Sequence, residues 1–530
     1  MVATQKENSD IAKQKKSLLF STLKMATATF SSRILGLVRE QVMAAMFGAS
    51  GVTDAFTVAY RVPNLLRDLF AEGSFSSAFV PIFTEEYQKD PERAKRLMGT
   101  MALLLGVVTT VLSILIMIFA GDIVYLFTNE QFTSDPNRFY LTKTLVQIMA
   151  PFLVFISLAA LFMGVLNTLK VFFTPSFAPV FFNILMIASM IFLPPILEAR
   201  GIHAVMSLGI GVITGGLAQM LIQVPMLIKK GFFPSKMGSL KDPQIKRVFK
   251  RVGIGTIGIA ATQINVLVTT ILATGTVIGA VSWLGYAFRL FQFPVGILSV
   301  SIAGSNLVHF SDSWKRGNKD EAMSVLKQSF LMSFFTITPA TILLFVLGKE
   351  SVQIVFERGA FSAEDTMNTA YALKFYLIGL PFYGWYKLWS PTFFALDKPK
   401  LPVMISSACI LFNIIFCLYF TPRLGFSALA LGTSLSMILN SFIQWFYLRN
   451  ILEVGFFSLW DARILKILMA GAVCFAMAWG VKTNFYDVQD SFGQRFLWFC
   501  VSGLSGAIGY FVSLLIFGEA KYLKKSIQRK

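Results

Sequence analysis

The sequence predicts an all-α polytopic membrane protein with fourteen transmembrane helices. They are expected as two six-helix lobes related by pseudo-two-fold symmetry, plus two C-terminal helices. Three observations predict this. Long apolar runs recur from end to end of the 530 residues, and ~20 apolar residues suffice to cross a bilayer as a helix. Only 14% of the residues are charged, against about a quarter in a soluble protein. Lys and Arg also concentrate in alternate loops, as positive-inside topology requires.

In order, the spans are expected at 20–47, 54–83, 98–120, 139–166, 173–195, 203–228, 252–273, 279–310, 323–347, 367–395, 401–420, 426–448, 463–481 and 493–517. The N-terminus 1–19 is polar, and the first span carries Arg33 and Arg39, so no cleavable signal is expected. The first two spans are weak by hydropathy; losing both leaves twelve and the same orientation. Spans one to six form an N-lobe, 20–228. The linker 229–251 carries eight basic residues, and its part 241–251 has the composition of a surface helix at the interface. Spans seven to twelve form a C-lobe, 252–448. The pair 449–517 and a basic tail, 518–530, complete the chain.

The halves echo each other. Ala59-Tyr60-Arg61 with Pro63 recurs as Ala287-Phe288-Arg289 with Pro294, each in the second span of its half. Parallel repeats of this kind are a common transporter plan, with the substrate between the halves.

Orientation follows from loop charge. The loops on the side of the termini hold 30 Lys and Arg, the opposite loops 7. Both termini are therefore expected in the cytoplasm. The net charge of +19 is mostly topology, with attraction to anionic headgroups secondary; it does not indicate nucleic acid.

The four cysteines lie inside apolar spans and read as core residues. With two histidines, His203 and His309, near span ends, no metal site is expected. There is no Walker A loop, no metal motif and no serine–histidine constellation. The chain is expected to be a non-enzyme without a cofactor.

Five arginines stand inside expected spans: Arg33, Arg39, Arg61, Arg67 and Arg289. On insertion scales they cost on the order of 12–18 kcal/mol together, so they are expected to face a polar interior. Four lie on the first two spans, which suggests an anion cavity. Residues seven apart share a helical face, which aligns Ser32 with Arg39 and Arg33 with Glu40. Asp54, Arg61, Asp68 and Glu72 form a stripe on the second span, with Arg67 beside it. Pro63 removes a backbone donor and kinks the helix. Arginine suits a phosphate because its planar fork donates paired hydrogen bonds and keeps its charge. The competing reading makes Arg33 with Glu40, or Arg61 with Asp54 or Asp68, interhelical ion pairs that only hold the bundle. For Arg289 it is snorkelling. Lys24, Lys143, Lys327, Lys374 and Lys387 read as anchors near span ends. Glu72 is either a gate residue or the partner of a cytoplasmic lysine. Gly36, Gly73, Gly164, Gly215, Gly216 and Gly296 suit close helix approach.

Several motifs resemble one family. They are Ser32-Arg33-Ile34-Leu35-Gly36-Leu37-Val38-Arg39-Glu40, Phe47-Gly48-Ala49, Thr53-Asp54-Ala55-Phe56, Pro63-Asn64-Leu65-Leu66-Arg67, Phe70–Ser76 and Ala78-Phe79-Val80-Pro81. The likeness extends to Phe173–Asn183, Tyr286–Pro294 and Phe356–Phe361, and so spans essentially the whole chain. It is to the MurJ (MviN) family, bacterial lipid II flippases of the multidrug/oligosaccharidyl-lipid/polysaccharide exporter superfamily. The resemblance implies a multi-pass protein of the bacterial inner membrane. It would move the undecaprenyl-pyrophosphate-linked peptidoglycan precursor from the cytoplasmic to the periplasmic leaflet, for cell wall biogenesis. The partners it implies are lipid II, membrane lipids and cell-wall synthesis machinery. Matching motifs put the substrate-binding set on Ser32, Arg33, Arg39, Asp54, Arg67 and Arg289, with Glu40, Arg61, Asp68 and Glu72 supporting or gating. The family's hydrophobic groove toward the final two helices would hold the lipid tail.

Some positions depart from the family pattern. Glu40 stands where many members have Asp. Asp68 stands where some are basic, and Gln292 where an acid is common. No acid occurs between Arg251 and Trp283, and Cys417 follows Asn413 by four residues where a carboxylate would be needed. The sodium site of some members is therefore not carried over. The alternatives are a multidrug or cation antiporter of the same superfamily, which needs buried acids, and a non-transporting cell-envelope scaffold. An integral-membrane glycosyltransferase is disfavoured, since its catalytic loops are lacking.

Overall fold

The computed structural model describes residues 25, 27–68, 74–234 and 236–519. Lys24, Glu72, Gly73, the segment 1–19 and most of the tail 518–530 lie outside the described residues. No strand occurs among the described residues. The chain divides into two compact units, Met1–Gly275 and Thr276–Lys530.

In the first unit the helices run α1 (27–47), α2 (Gly51–Arg67), α3 (Ser74–Lys89), α4 (Pro91–Ile118), α5 (Ala120–Phe127), α6 (Glu130–Thr133), α7 (Pro136–Met149), α8 (Phe152–Thr168), α9 (Phe173–Phe192), α10 (Pro194–Glu198), α11 (Met206–Leu221), α12 (Val224–Lys229) and α13 (Pro243–Thr274). Starts are legible in the chemistry. Asp90, Asp135 and Asp242 each accept from backbone N–H groups just beyond a first-turn proline, Pro91, Pro136 or Pro243. The core is aromatic: Phe75, Phe79, Phe83 and Tyr87 stack along α3 at ring separations of 5.4, 5.3 and 6.5 Å.

The basic linker is not a separate surface helix. Residues 243–251 are the first turns of the 32-residue α13. They are tied to α3 by Arg247 to Glu85 at 2.9 Å and by the Gln244 amide donating to Glu86 at 2.9 Å. The preceding strap crosses α4 where only a glycine permits it. A Cβ on Gly99 would lie 2.0 Å from the carbonyl oxygen of Lys236. Lys236 pairs with Glu92 at 2.8 Å, and Gly238 N–H donates to Thr100 Oγ1 at 2.8 Å.

In the second unit follow α14 (Ala280–Pro294), a π-helical turn (Val295–Ser299), α15 (Val300–Lys315), α16 (Lys319–Val346), α17 (Gly348–Phe356), α18 (Ala363–Ala395), α19 (Lys400–Leu424), α20 (Ser427–Leu452), α21 (Ala462–Phe485) and α22 (Phe492–Ile516). The π turn directly follows Pro294, the residue that removes a ladder donor. Ser362 and Asp365 form a capping box on α18, and Asp365 also accepts from the indole of Trp283 at 2.8 Å. The final pair docks on α16, where Tyr510 OH donates to the carbonyl of Phe335 at 2.8 Å. Its other end is held by charge: Lys482 pairs with Glu350 at 2.8 Å and Arg495 with Glu357 at 3.6 Å. Tyr486 donates to Gln353 at 2.8 Å. Burial, with the Glu350 charge added, pushes its phenol up to about 12.

Among the described residues, nine helices are long and apolar enough to cross a membrane. This is an all-helical polytopic membrane protein. The described residues of the five other expected spans are also mostly helical, yet fall short for physical reasons. Arginines depress the hydropathy of 20–47 and 54–83; the described part of the latter forms α2 and α3. Span 252–273 contains a shorter apolar stretch, Ala260–Thr274. The π turn divides 279–310, and Lys374, Lys387 and several tyrosines dilute 367–395.

Candidate functional site

In the first unit Arg39 and Glu40 on α1 and Arg67 and Asp68 on α2 are held by polar contacts, with help from α9 and α13. The Arg39 guanidinium donates to Glu40 at 2.6 Å and to Asn183 Oδ1 at 3.1 Å. It also lies 5.8 Å from the centre of the Phe182 ring. Asn183 in turn donates to the backbone carbonyls of Ser32 at 3.2 Å and Pro179 at 3.1 Å. One buried amide thus ties α9 to two points on α1. Gly36 faces this crossing without being required by it: a Cβ there would make an ordinary contact, 4.0 Å from the Asn183 amide nitrogen.

Arg67 donates through Nε and Nη2 to one oxygen of Asp68, at 3.2 and 2.9 Å. The other Asp68 oxygen accepts from Gln263 of α13 at 3.1 Å. Arg39 with Glu40 and Arg67 with Asp68 are ion pairs between chain neighbours, at 2.6 and 2.9 Å. Arg67 is near enough for Arg39 to feel its charge. Each guanidinium keeps its geometry through an acid and an amide. An acid held this way fixes the fork without enclosing it, and Arg39 has further N–H donors beyond the two bonds it makes.

The remaining predicted residues are distributed as follows. Asp54 is buried, Ser32 and Arg61 are half-buried, and Arg33 is exposed. Glu72 lies outside the described residues. Arg289 is in the second unit, exposed on α14, where Phe288 and Phe291 pack on Tyr376 at 5.4 and 5.7 Å. Sequence reasoning missed Asn183 and Phe182 as site residues. The available signal was a single amide within the apolar run of α9, four residues after Pro179. Gln263 was missed as well; its amide is donated to Asp68. Asn413 Oδ1 accepts from the Cys417 thiol at 3.5 Å. Among the described residues, no group of three or more His, Cys, Asp or Glu could hold a metal ion.

Comparison with known proteins identifies the family. Residues 43–492 match the family model described as lipid II flippase MurJ. A probable lipid II flippase MurJ of Vibrio cholerae is 33% identical over 95% of this chain and 97% of its own. The lipid II flippase MurJ of Burkholderia cenocepacia is 35% identical over 82% of this chain and 84% of its own. Among solved structures, a lipid II flippase MurJ in an inward closed conformation superposes with a TM-score of 0.77. It is 27% identical, over 93% of this chain and 98% of that one. An inward-facing multidrug transporter of the MATE family shares the fold at TM-score 0.63 and 12% identity, over 81% of this chain and 98% of that one. With a family model covering most of its length and full-length relatives above 30% identity, the chain belongs to the MurJ lipid II flippase family.

Proposed function

We propose that this protein flips lipid II, the undecaprenyl-pyrophosphate-linked peptidoglycan precursor, from the cytoplasmic to the periplasmic leaflet of the bacterial inner membrane. It is a transporter and not an enzyme. The observation that carries the reading, beside family membership, is the Arg39 fork held by Glu40 and by Asn183 of the apolar helix α9. Such a fork suits a pyrophosphate. Ser32, Arg33, Arg39, Asp54, Arg67 and Arg289 are read as substrate-binding, and Glu40, Arg61, Asp68 and Glu72 as supporting or gating.

On this reading all fourteen helical segments span the bilayer, with both termini cytoplasmic. The lobes 20–228 and 252–448 alternate access to the substrate while the lipid tail stays by the pair 449–517. Membrane potential, worth roughly 2.3 kcal/mol per charge per 100 mV, biases the cycle in preference to sodium. Cell-wall synthesis machinery and membrane lipids are its expected partners.

The test is flipping of labelled lipid II by the purified protein in liposomes, with and without imposed potential and with sodium exchanged for potassium. Absence of flipping under every condition rejects the proposal. Collapse on sodium removal alone rejects the energetic part.

A further inference from the structure

We propose that Lys387, Tyr383 and Tyr386 of α18 form an anion-binding site that takes a lipid phosphate. The idea that the transported substrate supplies that phosphate rests on the flippase reading above; the site itself does not.

The first observation is a cation set among two ring faces with no described carboxylate paired to it. The Lys387 ammonium lies 5.4 Å from the centre of the Tyr383 ring and 5.7 Å from that of Tyr386. The two rings are 6.0 Å apart, edge to face. All three side chains are half-buried. Lys387 makes no ion pair with any described residue, and neither phenol hydroxyl hydrogen-bonds to one. Ring faces attract an ammonium but supply no negative charge. A half-buried cation lying against two phenol rings is matched by an anion bearing several acceptor oxygens.

The second observation is direction. Lys387 lies eight residues before the end of α18 at Ala395. A lysine serving as an interfacial anchor carries its ammonium out toward the nearer membrane surface. Here the ammonium rests over Tyr383, one helical turn (~5.4 Å) farther from that end.

The third observation is context. Trp385 and Trp389 pack on Phe330 at 5.2 and 5.5 Å and fix the rotation of α18. Between them and the donors, Gly384 lets α16 approach so closely that a Cβ would lie 2.3 Å from Ile337 Cδ1. The donor face is therefore held on a rigid element. Tyr383 also meets Phe291 of α14 at 5.7 Å, and Arg289 precedes Phe291 by two residues. Arg289 and Lys387 thus stand on packed helices of one unit.

The chemistry fits two sources: the pyrophosphate of a polyprenyl-linked substrate, or the phosphodiester of a bilayer lipid. Full-length protein in nanodiscs would be titrated with undecaprenyl pyrophosphate and, separately, with phosphatidylglycerol. The variants are Lys387→Met, Lys387→Arg and the double change Tyr383→Phe with Tyr386→Phe. The expected result is a loss of about tenfold or more in affinity for Lys387→Met and a smaller loss for the double variant, with Lys387→Arg close to wild type. Loss confined to undecaprenyl pyrophosphate assigns the substrate as the source; loss confined to phosphatidylglycerol assigns bilayer lipid. Wild-type affinity of Lys387→Met for both lipids overturns the site. The double variant, which removes only two oxygens, decides the matter if Lys387→Met does not fold. If wild type fails to flip lipid II while Lys387→Met loses phosphatidylglycerol, the flippase reading falls and the site stands. If wild type flips and Lys387→Met binds both lipids normally, the site alone falls.

Discussion

Arg39 and Asn183 are 144 residues apart in sequence and 3.1 Å apart in the fold, guanidinium Nη1 to amide oxygen. The same amide donates to the carbonyl of Ser32, so one side chain sets both the backbone of α1 and the aim of its inner arginine. Replacing Asn183 with Leu removes both bonds while keeping most of the volume. A hydrogen bond to a charged group is worth about 1.5–3 kcal/mol, so lipid II flipping should fall about tenfold to a hundredfold. Asn183→Asp keeps the acceptor and should lose less. Equal, wild-type rates for both variants in proteoliposomes would show that Arg39 does not depend on this bond.

Arg33→Ala, Arg39→Ala, Arg67→Ala and Arg289→Ala should each fail to support growth of a flippase-depleted strain. Arg39→Ala and Arg67→Ala also leave Glu40 and Asp68 without their ion pairs, so membrane levels are measured in parallel to separate lost function from lost folding. Growth restored by all four would favour a scaffold role.

Gly99 and Gly106 make a matched pair on α4. A Cβ on Gly99 would strike the Lys236 carbonyl at 2.0 Å, whereas one on Gly106 meets nothing within 4 Å. Gly99→Ala should destabilise by about 1–3 kcal/mol, as overpacking does, and loosen the strap. Gly106→Ala should stabilise by up to about 1 kcal/mol through helix propensity. Thermal unfolding in detergent measures both; the same sign for the two would contradict the close crossing.

Asp461 caps α21 and pairs with Arg463 at 2.8 Å and Lys327 at 3.3 Å. The hydrogen bond from Arg463, with Lys327 adding to it, holds the carboxyl well below the usual carboxylate range, against the opposing effect of burial. Its folded value is depressed. The stabilisation is therefore present above the unfolded value of about 3.9 and is lost as pH falls through the folded one. Asp461→Asn should lower the unfolding temperature at pH 7. The difference from wild type should shrink steadily as the pH is taken below about 4. A difference independent of pH would assign the effect to the cap alone.

Both termini should report a cytoplasmic location in reporter fusions, since 30 loop Lys and Arg lie on their side against 7. A periplasmic signal from either end would reverse the inferred direction of transport.

The helical membrane class, the charged motifs of the first two spans and the family were legible in the sequence. Each is carried by local pattern: apolar runs, seven-residue spacing and contiguous motif residues. Hydropathy also located the spans that face lipid, but it understates α1, α2 and α18, whose charges and tyrosines lower the average. Other features came only from tertiary structure. The pairing of Arg39 with Asn183, the clasp of Asp68 by Gln263 and the crossing of Lys236 over Gly99 join residues more than a hundred positions apart. Their partners depend on how helices cross and rotate, which no local period encodes. Lys387 shows the same limit within a single helix. Its place near a span end suggested an anchor, while the packing of Trp385 and Trp389 fixes the rotation of α18 and its side chain lies back over Tyr383.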